Sequence, residues 1–289
     1  MIKIIDGKIL AEKIKDQVVS EVERVCQASK MIQRRPNLAI ILVGNREDSR
    51  LYVSMKEKEA KKVGIDINLY CFDQTVLEKD VLETINFLNH DQDIDAILVQ
   101  LPLPDNFDTD KIIKTINPDK DVDGFHPENI KKLLTGEKEG VVSPVFAAIT
   151  HCLKDINFNL EKSSVAVISK SEVFGGNLAK FLTLQKADAQ LIFPDDVDFK
   201  NKIKKADVVI SAIGKKNLIT KELIKKDAVL IDVGIDKKGK KVYGDIDFES
   251  VQGVASYLTP VPGGIGPLTI AMLFENVLFL YQKNQPRRD

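Results

Sequence analysis

The sequence predicts an α/β fold made of two βαβ domains. Short continuous apolar runs, of which LAIILV (38–43) is the clearest, alternate with amphipathic stretches of helical spacing. Such runs mark strands buried on both faces, as in parallel sheets with helical cover. The alternation comes in two series, separated by the polar, glycine-containing stretch TGEKEG (135–140). The chain has 289 residues, 44% of them hydrophobic, enough for two domain cores of ordinary size.

In the first series a helix is expected over 7–33, with Ile9, Ile14, Val18, Val22 and Val25 at helical spacing and Pro36 closing it. The strand over 38–43 follows. After Gly44 a helix runs to Val63, where Gly64 is placed to end it. Strand 67–72, helix 76–89, strand 96–100 and helix 109–115 complete the series. The second series has helices over 145–154, 175–184, 199–204 and 221–225, and strands over 165–168, 189–193, 207–211 and 228–233. In VISKSEVFGGN (167–177) a strand passes through a tight loop into a helix, the passage that holds a dinucleotide phosphate in Rossmann-type domains. A last helix over 267–282 has Pro267 in its first turn. The expected division is 1–140, 141–266, and a C-terminal helical segment 267–289 that packs back on the first domain.

Composition narrows the function classes. Net charge is −1, so no broad field points to nucleic acid or an anionic membrane. No apolar run approaches the roughly 20 residues of a membrane span, and the opening MIKIIDGKILAEK has no signal-peptide core. Cys26, Cys71 and Cys152 are scattered and odd in number, which suits reduced thiols in the cytoplasm. With three histidines and no C-x-x-C, no metal is expected.

Four stretches carry candidate chemistry. Tyr52 and Lys56 stand four apart on the helix after GNREDS and share a face; spacing alone fits an exposed amphipathic helix equally well. Gln100 ends an apolar strand just before LPLP (101–104), where parallel sheets line their ligand crevices. PDKDVDGFHP (118–127) has three aspartates but lacks the partner glutamate of an EF-hand, so a rigid loop presenting one carboxylate fits better. TPVPGGIGP (259–267) combines prolines that fix φ with glycines that permit positive φ and close backbone approach.

Together, VGNREDSRLYVSMK (43–56), ILVQLPLP (97–104), PDKDVDGFHPEN (118–129), VLIDVGID (229–236) and TPVPGGIGPLT (259–269) resemble the bifunctional methylenetetrahydrofolate dehydrogenase/methenyltetrahydrofolate cyclohydrolase family over nearly the whole chain. The resemblance implies a folate cleft between the domains, with NADP on the Rossmann-type one, and a homodimer. It gives Lys56 the activation of water, which needs an amine neutral near pH 7, and makes Gln100 its orienting partner. It places Tyr52 against the folate and makes Asp123 an acceptor for the pterin, with Pro262, Gly263 and Gly264 also at the substrate. The cofactor residues it implies are Ser169, Lys170, Ser171, Gly175, Ile213, Ile235 and Gly264.

The cofactor loop departs from the family's usual pattern. Glycine-arginine-serine is Ser169-Lys170-Ser171 here, and beyond the next strand stands Phe193-Pro194-Asp195-Asp196. Lysine lacks arginine's bidentate fork for the ribose phosphate of NADP, and an acidic residue there suits a free ribose hydroxyl. The alternatives are therefore NAD use, weak dinucleotide binding in a cyclohydrolase alone, or a non-catalytic folate-binding paralogue.

Overall fold

The computed structural model describes residues 2–28, 34–137, 140–239 and 241–284. In chain order the first elements are β1 (Lys3–Ile4), α1 (Gly7–Ala28), β2 (Asn37–Val43), α2 (Glu47–Val63), β3 (Asp66–Phe72), α3 (Glu78–His90), β4 (Ala96–Val99), α4 (Thr109–Thr115) and α5 (Pro127–Thr135). There follow α6 (Pro144–Asp155), β5 (Ser164–Ser169), α7 (Asn177–Leu184), β6 (Asp188–Ile192), α8 (Phe199–Lys205), β7 (Val208–Ala212) and β8 (Val229–Asp232). A hairpin of β9 (Asp236–Lys238) and β10 (Lys241–Tyr243), then α9 (Phe248–Val251), β11 (Tyr257–Leu258) and α10 (Ile265–Asn284) complete the chain. The part of the expected first helix over 29–33 lies outside the described residues.

The chain divides into two compact units, 12–144 with 270–289 and 1–11 with 145–269. The sequence placed residues 1–11 with the first domain. They group instead with the second, because β1 pairs in parallel with β11 (Lys3 with Tyr257, Ile4 with Leu258). Gly7 also sits so close to Gly264 that a β-carbon on it would overlap that residue's carbonyl.

The unit of 12–144 and 270–289 holds a parallel sheet of order β3-β2-β4. Central β2 is buried from Leu38 to Val43, as its unbroken apolar run requires. Each Leu, Ile or Val side chain so taken from water contributes about 1.5–3 kcal/mol. Because all three strands are parallel, Val43, Phe72 and Val99 end at the same edge, so the turn into α2 and the residue after β4 emerge together. Asp121 forms an isolated parallel bridge with Ile97, which lays the 118–126 loop beside β4. From α10, Asn276 donates to the carbonyls of Val122 and Val142, both at 2.9 Å, and Lys283 pairs with Asp119 at 2.8 Å.

The unit of 1–11 and 145–269 holds a six-stranded parallel sheet of order β6-β5-β7-β8-β11-β1. The chain moves outward from β5 to β6, then returns to place β7 on the other side of β5. The strand order thus reverses between β5 and β7, where open α/β sheets bind ligands beyond their carboxyl ends.

Several elements differ from expectation. The helix expected from Gly175 opens with a π-turn over Glu172–Gly176, and that expected over 221–225 is a single 3-10 turn, Lys221–Leu223. The α5 helix and the β9–β10 hairpin were not foreseen. The expectation of no span-length apolar segment is also overturned, since α10 is long and apolar enough by length and composition to cross a membrane. Most of it is buried inside the protein, which accounts for its apolar character, while Glu275 and Gln282 are exposed.

Candidate active site

The α2 helix carries Glu47 and Asp48 in its first turn and Lys61 and Lys62 in its last, each charge matching the helix dipole, and ends on Gly64 in the left-handed region at φ 75°. Val53, Ala60 and Val63 bury one side of it. Tyr52 and Lys56, one turn apart, are half-buried.

The Lys56 Nζ donates to Gln100 Oε1 at 2.9 Å. Gln100 is held at both ends, its backbone N–H on the Ile41 carbonyl and its Nε2 on the Leu101 carbonyl, both at 2.8 Å. With the amide nitrogen so engaged, the amide oxygen is the face left to meet the lysine. The Leu101–Pro102 peptide that follows is cis. Burial pushes the Lys56 ammonium below its ordinary pKa of 10.5, against the opposing pull of the Asp123 carboxylate.

Burial also pushes Asp123 up to about 6; Lys56 draws it down and Asp121 raises it. Asp123 borders a small recess whose other walls include Ile97, Val99, Leu101 and Phe125. Its loop is rigid for a reason sequence did not supply. Buried Asp121 accepts hydrogen bonds from the backbone of Gly124 (3.1 Å) and His126 (2.8 Å) and from Asn129 Nδ2 (3.0 Å). Asn129 in turn donates to the Pro118 carbonyl at 2.9 Å. Gly124 stands at φ +69°, where a β-carbon would come within 2.7 Å of the Val141 carbonyl. Asp121 and Asn129 are thus positioning residues that spacing left unmarked; the available signal was an aspartate two before Asp123 and an amide eight residues further on.

The second group of predicted residues lies in the other unit. Ser169 is 2% exposed. Its hydroxyl accepts the Ser171 N–H at 3.0 Å, and Ser171 Oγ accepts the Phe174 N–H at 3.1 Å. The Ser169 side chain therefore shapes the loop from within. A β-carbon on Gly175 would lie 2.6 Å from Leu191 and 2.8 Å from the Ser169 β-carbon, so the bare glycine is what lets this turn close on the sheet. Lys170 and Ser171 are exposed. Gly214, at φ +73°, brings the loop after β7 beside the Ile235 carbonyl, which places Ile213 and Ile235 on touching segments. These loops follow β5 and β7, on either side of the strand-order reversal. Exposed Lys170 and Ser171 offer a cation and a hydroxyl beside it, a donor set that fits a dinucleotide phosphate.

Pro262, Gly263 and Gly264 belong to this same unit and not to that of Lys56, Gln100, Tyr52 and Asp123. The Val261–Pro262 peptide is cis, and Gly263 takes φ +109°. A β-carbon on Gly264 would press on the Pro260 carbonyl at 2.6 Å, whereas one on Gly266 would meet open space. Two of the three glycines of the TPVPGGIGP stretch are thus required by geometry. Among the described residues no group of three His, Cys, Asp or Glu side chains could hold a metal ion.

Residues 5–123 match the catalytic domain of tetrahydrofolate dehydrogenase/cyclohydrolase, and residues 144–285 match its NAD(P)-binding domain. The bifunctional protein FolD of Sulfurihydrogenibium sp. is 40% identical over 281 residues, covering 97% of this chain and 98% of that protein. The crystal structure of the bifunctional FolD methylenetetrahydrofolate dehydrogenase/cyclohydrolase from Campylobacter jejuni superposes with a TM-score of 0.93 at 35% identity, covering 99% of this chain and 100% of that one. The Trypanosoma brucei enzyme, solved with NADP and an inhibitor, gives 0.92 at 29% identity, covering 98% of each chain. The chain belongs to the tetrahydrofolate dehydrogenase/cyclohydrolase family.

Proposed function

We propose that the chain carries out two successive steps of one-carbon folate chemistry. It oxidises 5,10-methylenetetrahydrofolate to 5,10-methenyltetrahydrofolate with NADP, and hydrolyses that product to 10-formyltetrahydrofolate. The observation that carries this reading is the Lys56–Gln100 hydrogen bond beside Asp123. A lysine depressed by burial and held by an amide oxygen, rather than by a carboxylate, is suited to give up its proton and act as a base.

In the hydrolysis, water adds to the methenyl carbon while the neutral Lys56 amine takes its proton; the bond from that carbon to N5 then breaks, N5 takes up the proton, and the formyl group stays on N10. Gln100 keeps the amine aimed, since its oxygen can accept but cannot neutralise. Tyr52 packs on the folate, and Asp123 accepts hydrogen bonds from the pterin. The oxidation needs no strong acid or base from the protein, because loss of hydride leaves a resonance-stabilised cation. NADP supplies the hydride acceptor when bound. Ser169, Lys170, Ser171, Gly175, Ile213, Ile235 and Gly264 are assigned to holding it, with Lys170 toward the ribose phosphate and Ser169 acting through the loop it closes.

The NAD(P)-binding match spans the substituted loop, which supports a working cofactor half over a cyclohydrolase alone. The Trypanosoma brucei relative in complex with NADP supports the phosphorylated cofactor. A cytoplasmic homodimer is the corresponding cellular form. The test is to titrate the purified protein with NADP and NAD and assay both reactions. NADP-dependent oxidation together with hydrolysis of added methenyltetrahydrofolate is the expected result. Hydrolysis without oxidation by either dinucleotide would leave only the cyclohydrolase.

A further inference from the structure

Two buried carboxylates in the 1–11/145–269 unit have no role in the chemistry above. Asp245 is 0% exposed. Its Oδ2 accepts the Ser211 hydroxyl and the Ile213 N–H, and its Oδ1 accepts the Lys215 N–H, all at 2.7 Å. Ser211 lies within β7, and the other two donors belong to the loop that leaves it, so one carboxylate clamps the start of that loop at three points. Asp232, at the end of neighbouring β8, accepts the backbone N–H groups of Asp245 (3.0 Å) and Ile246 (2.9 Å). The Asp232 N–H itself donates to Thr259 Oγ1 at 2.7 Å, at the head of the TPVPGG stretch. A continuous series of hydrogen bonds thus runs from Thr259 through Asp232 and Asp245 to Ile213.

Room for both carboxylates is made by glycine. A β-carbon on Gly234 would overlap the Asp245 carboxylate, and one on Gly244 would overlap that of Asp232. An apolar side chain of similar volume would fill the same space but leave the Ser211 hydroxyl and the Ile213 and Lys215 N–H groups without this acceptor. A buried acceptor engaged by three donors, one within β7 and two in the loop that leaves it, fixes where that loop's backbone lies.

We propose that Asp245 is a positioning residue for the dinucleotide: it sets the Ser211–Lys215 segment, and with it Ile213, at the strand-order reversal. Asp232 seats Asp245 in turn. The inference rests on the assignment of Ile213 to the cofactor site.

The test uses the full chain as Asp245→Asn and Gly234→Ala. The first replaces one acceptor by a donor facing an N–H. The second keeps the acid but crowds it, at a glycine whose φ is not in the left-handed region. Asp247→Ala serves as a control, because Asp247 caps α9 through Ser250 and does not touch the 211–215 loop. We expect Kd and KM for NADP to rise about tenfold or more in Asp245→Asn and Gly234→Ala, the loss of about one charged hydrogen bond. Hydrolysis of added methenyltetrahydrofolate should stay within about twofold, since it uses no dinucleotide, and Asp247→Ala should leave NADP affinity unchanged. If Asp245→Asn does not fold, Gly234→Ala decides. Unaltered NADP affinity in a folded variant overturns the proposal, as does a parallel fall of both activities with melting temperature. Failure of the unaltered protein to bind either dinucleotide would instead overturn the cofactor assignment, and the proposal with it.

Discussion

Lys56 and Gln100 meet through a single 2.9 Å hydrogen bond, amine to amide oxygen, across 44 residues of sequence. The pairing is made possible by the shared edge of β2 and β4, since α2 follows one strand and Gln100 the other. Lys56→Met should abolish hydrolysis while leaving the fold intact. Lys56→Arg should fail as well, because a guanidinium does not deprotonate near neutral pH. In the unaltered enzyme the hydrolysis rate should rise with pH to a plateau whose apparent pKa lies below 10.5, as burial of Lys56 dictates. Near-normal hydrolysis by folded Lys56→Met would remove the lysine from the reaction.

Asp123 makes a second case. With its carboxyl pushed up to about 6, the ionised acceptor is lost as pH falls through that value. Substrate KM should therefore climb below about pH 6. Asp123→Ala should weaken methenyltetrahydrofolate binding by about 1.5–3 kcal/mol, one to two powers of ten. An unchanged dissociation constant would confine the loop to a structural role.

On the cofactor side, Lys170→Arg should tighten NADP and leave NAD alone, because the second guanidinium bond has the extra phosphate as its only target. Ser169→Gly is expected to lower the melting temperature, as it strips the acceptor from the Ser171 N–H and the packing partner from Gly175. Calorimetric titration with both dinucleotides reads the first effect; equal gains for NAD and NADP would show that Lys170 does not reach the ribose phosphate.

Asp232 links the fold to pH. Burial, with Asp245 nearby, raises its carboxyl from 3.8 to about 7. The native state then holds a proton that the unfolded chain has released, so stability declines as pH rises from about 4 to about 7. The upper limit of this slope is about 1.4 kcal/mol per pH unit. Asp232→Asn carries no such proton. Urea unfolding of both proteins from pH 5 to 8 should show the variant gaining on the unaltered chain as pH rises. Parallel curves would mean that Asp232 is ionised throughout.

Much of this architecture is legible in the residues themselves. Runs such as LAIILV announce their strands because burial on both faces leaves no polar position, and Gly64 marks a helix end because its φ demands it. Short elements were illegible for the complementary reason. The π-turn at 172–176 is shaped by Ser169, Ser171 and Gly175 closing on one another, and α5 starts where His126 caps it by accepting the Glu128 N–H. Nothing in the spacing of KDVDG separates Asp121, whose carboxylate accepts the loop's own hydrogen bonds, from Asp123, whose carboxylate acts on Lys56. Asp232 and Asp245 were likewise hidden, since a buried carboxylate is recognised by the N–H groups around it and those come from distant segments.

The chain passes from one compact unit to the other three times, after residues 11, 144 and 269. Two of these passages fall well inside helices, α1 and α10, and the third at the first residue of α6. The dinucleotide half is consequently not a cassette. A fragment of 145–269 would leave β11 as a bare edge where β1 now pairs, and would strip Gly264 of its contact with Gly7. Segment exchange with a relative must cut through two helices to be complete. Coenzyme preference in such a chain is open to change residue by residue, along the loop from Ser169 to Gly175, and closed to transplantation in one block.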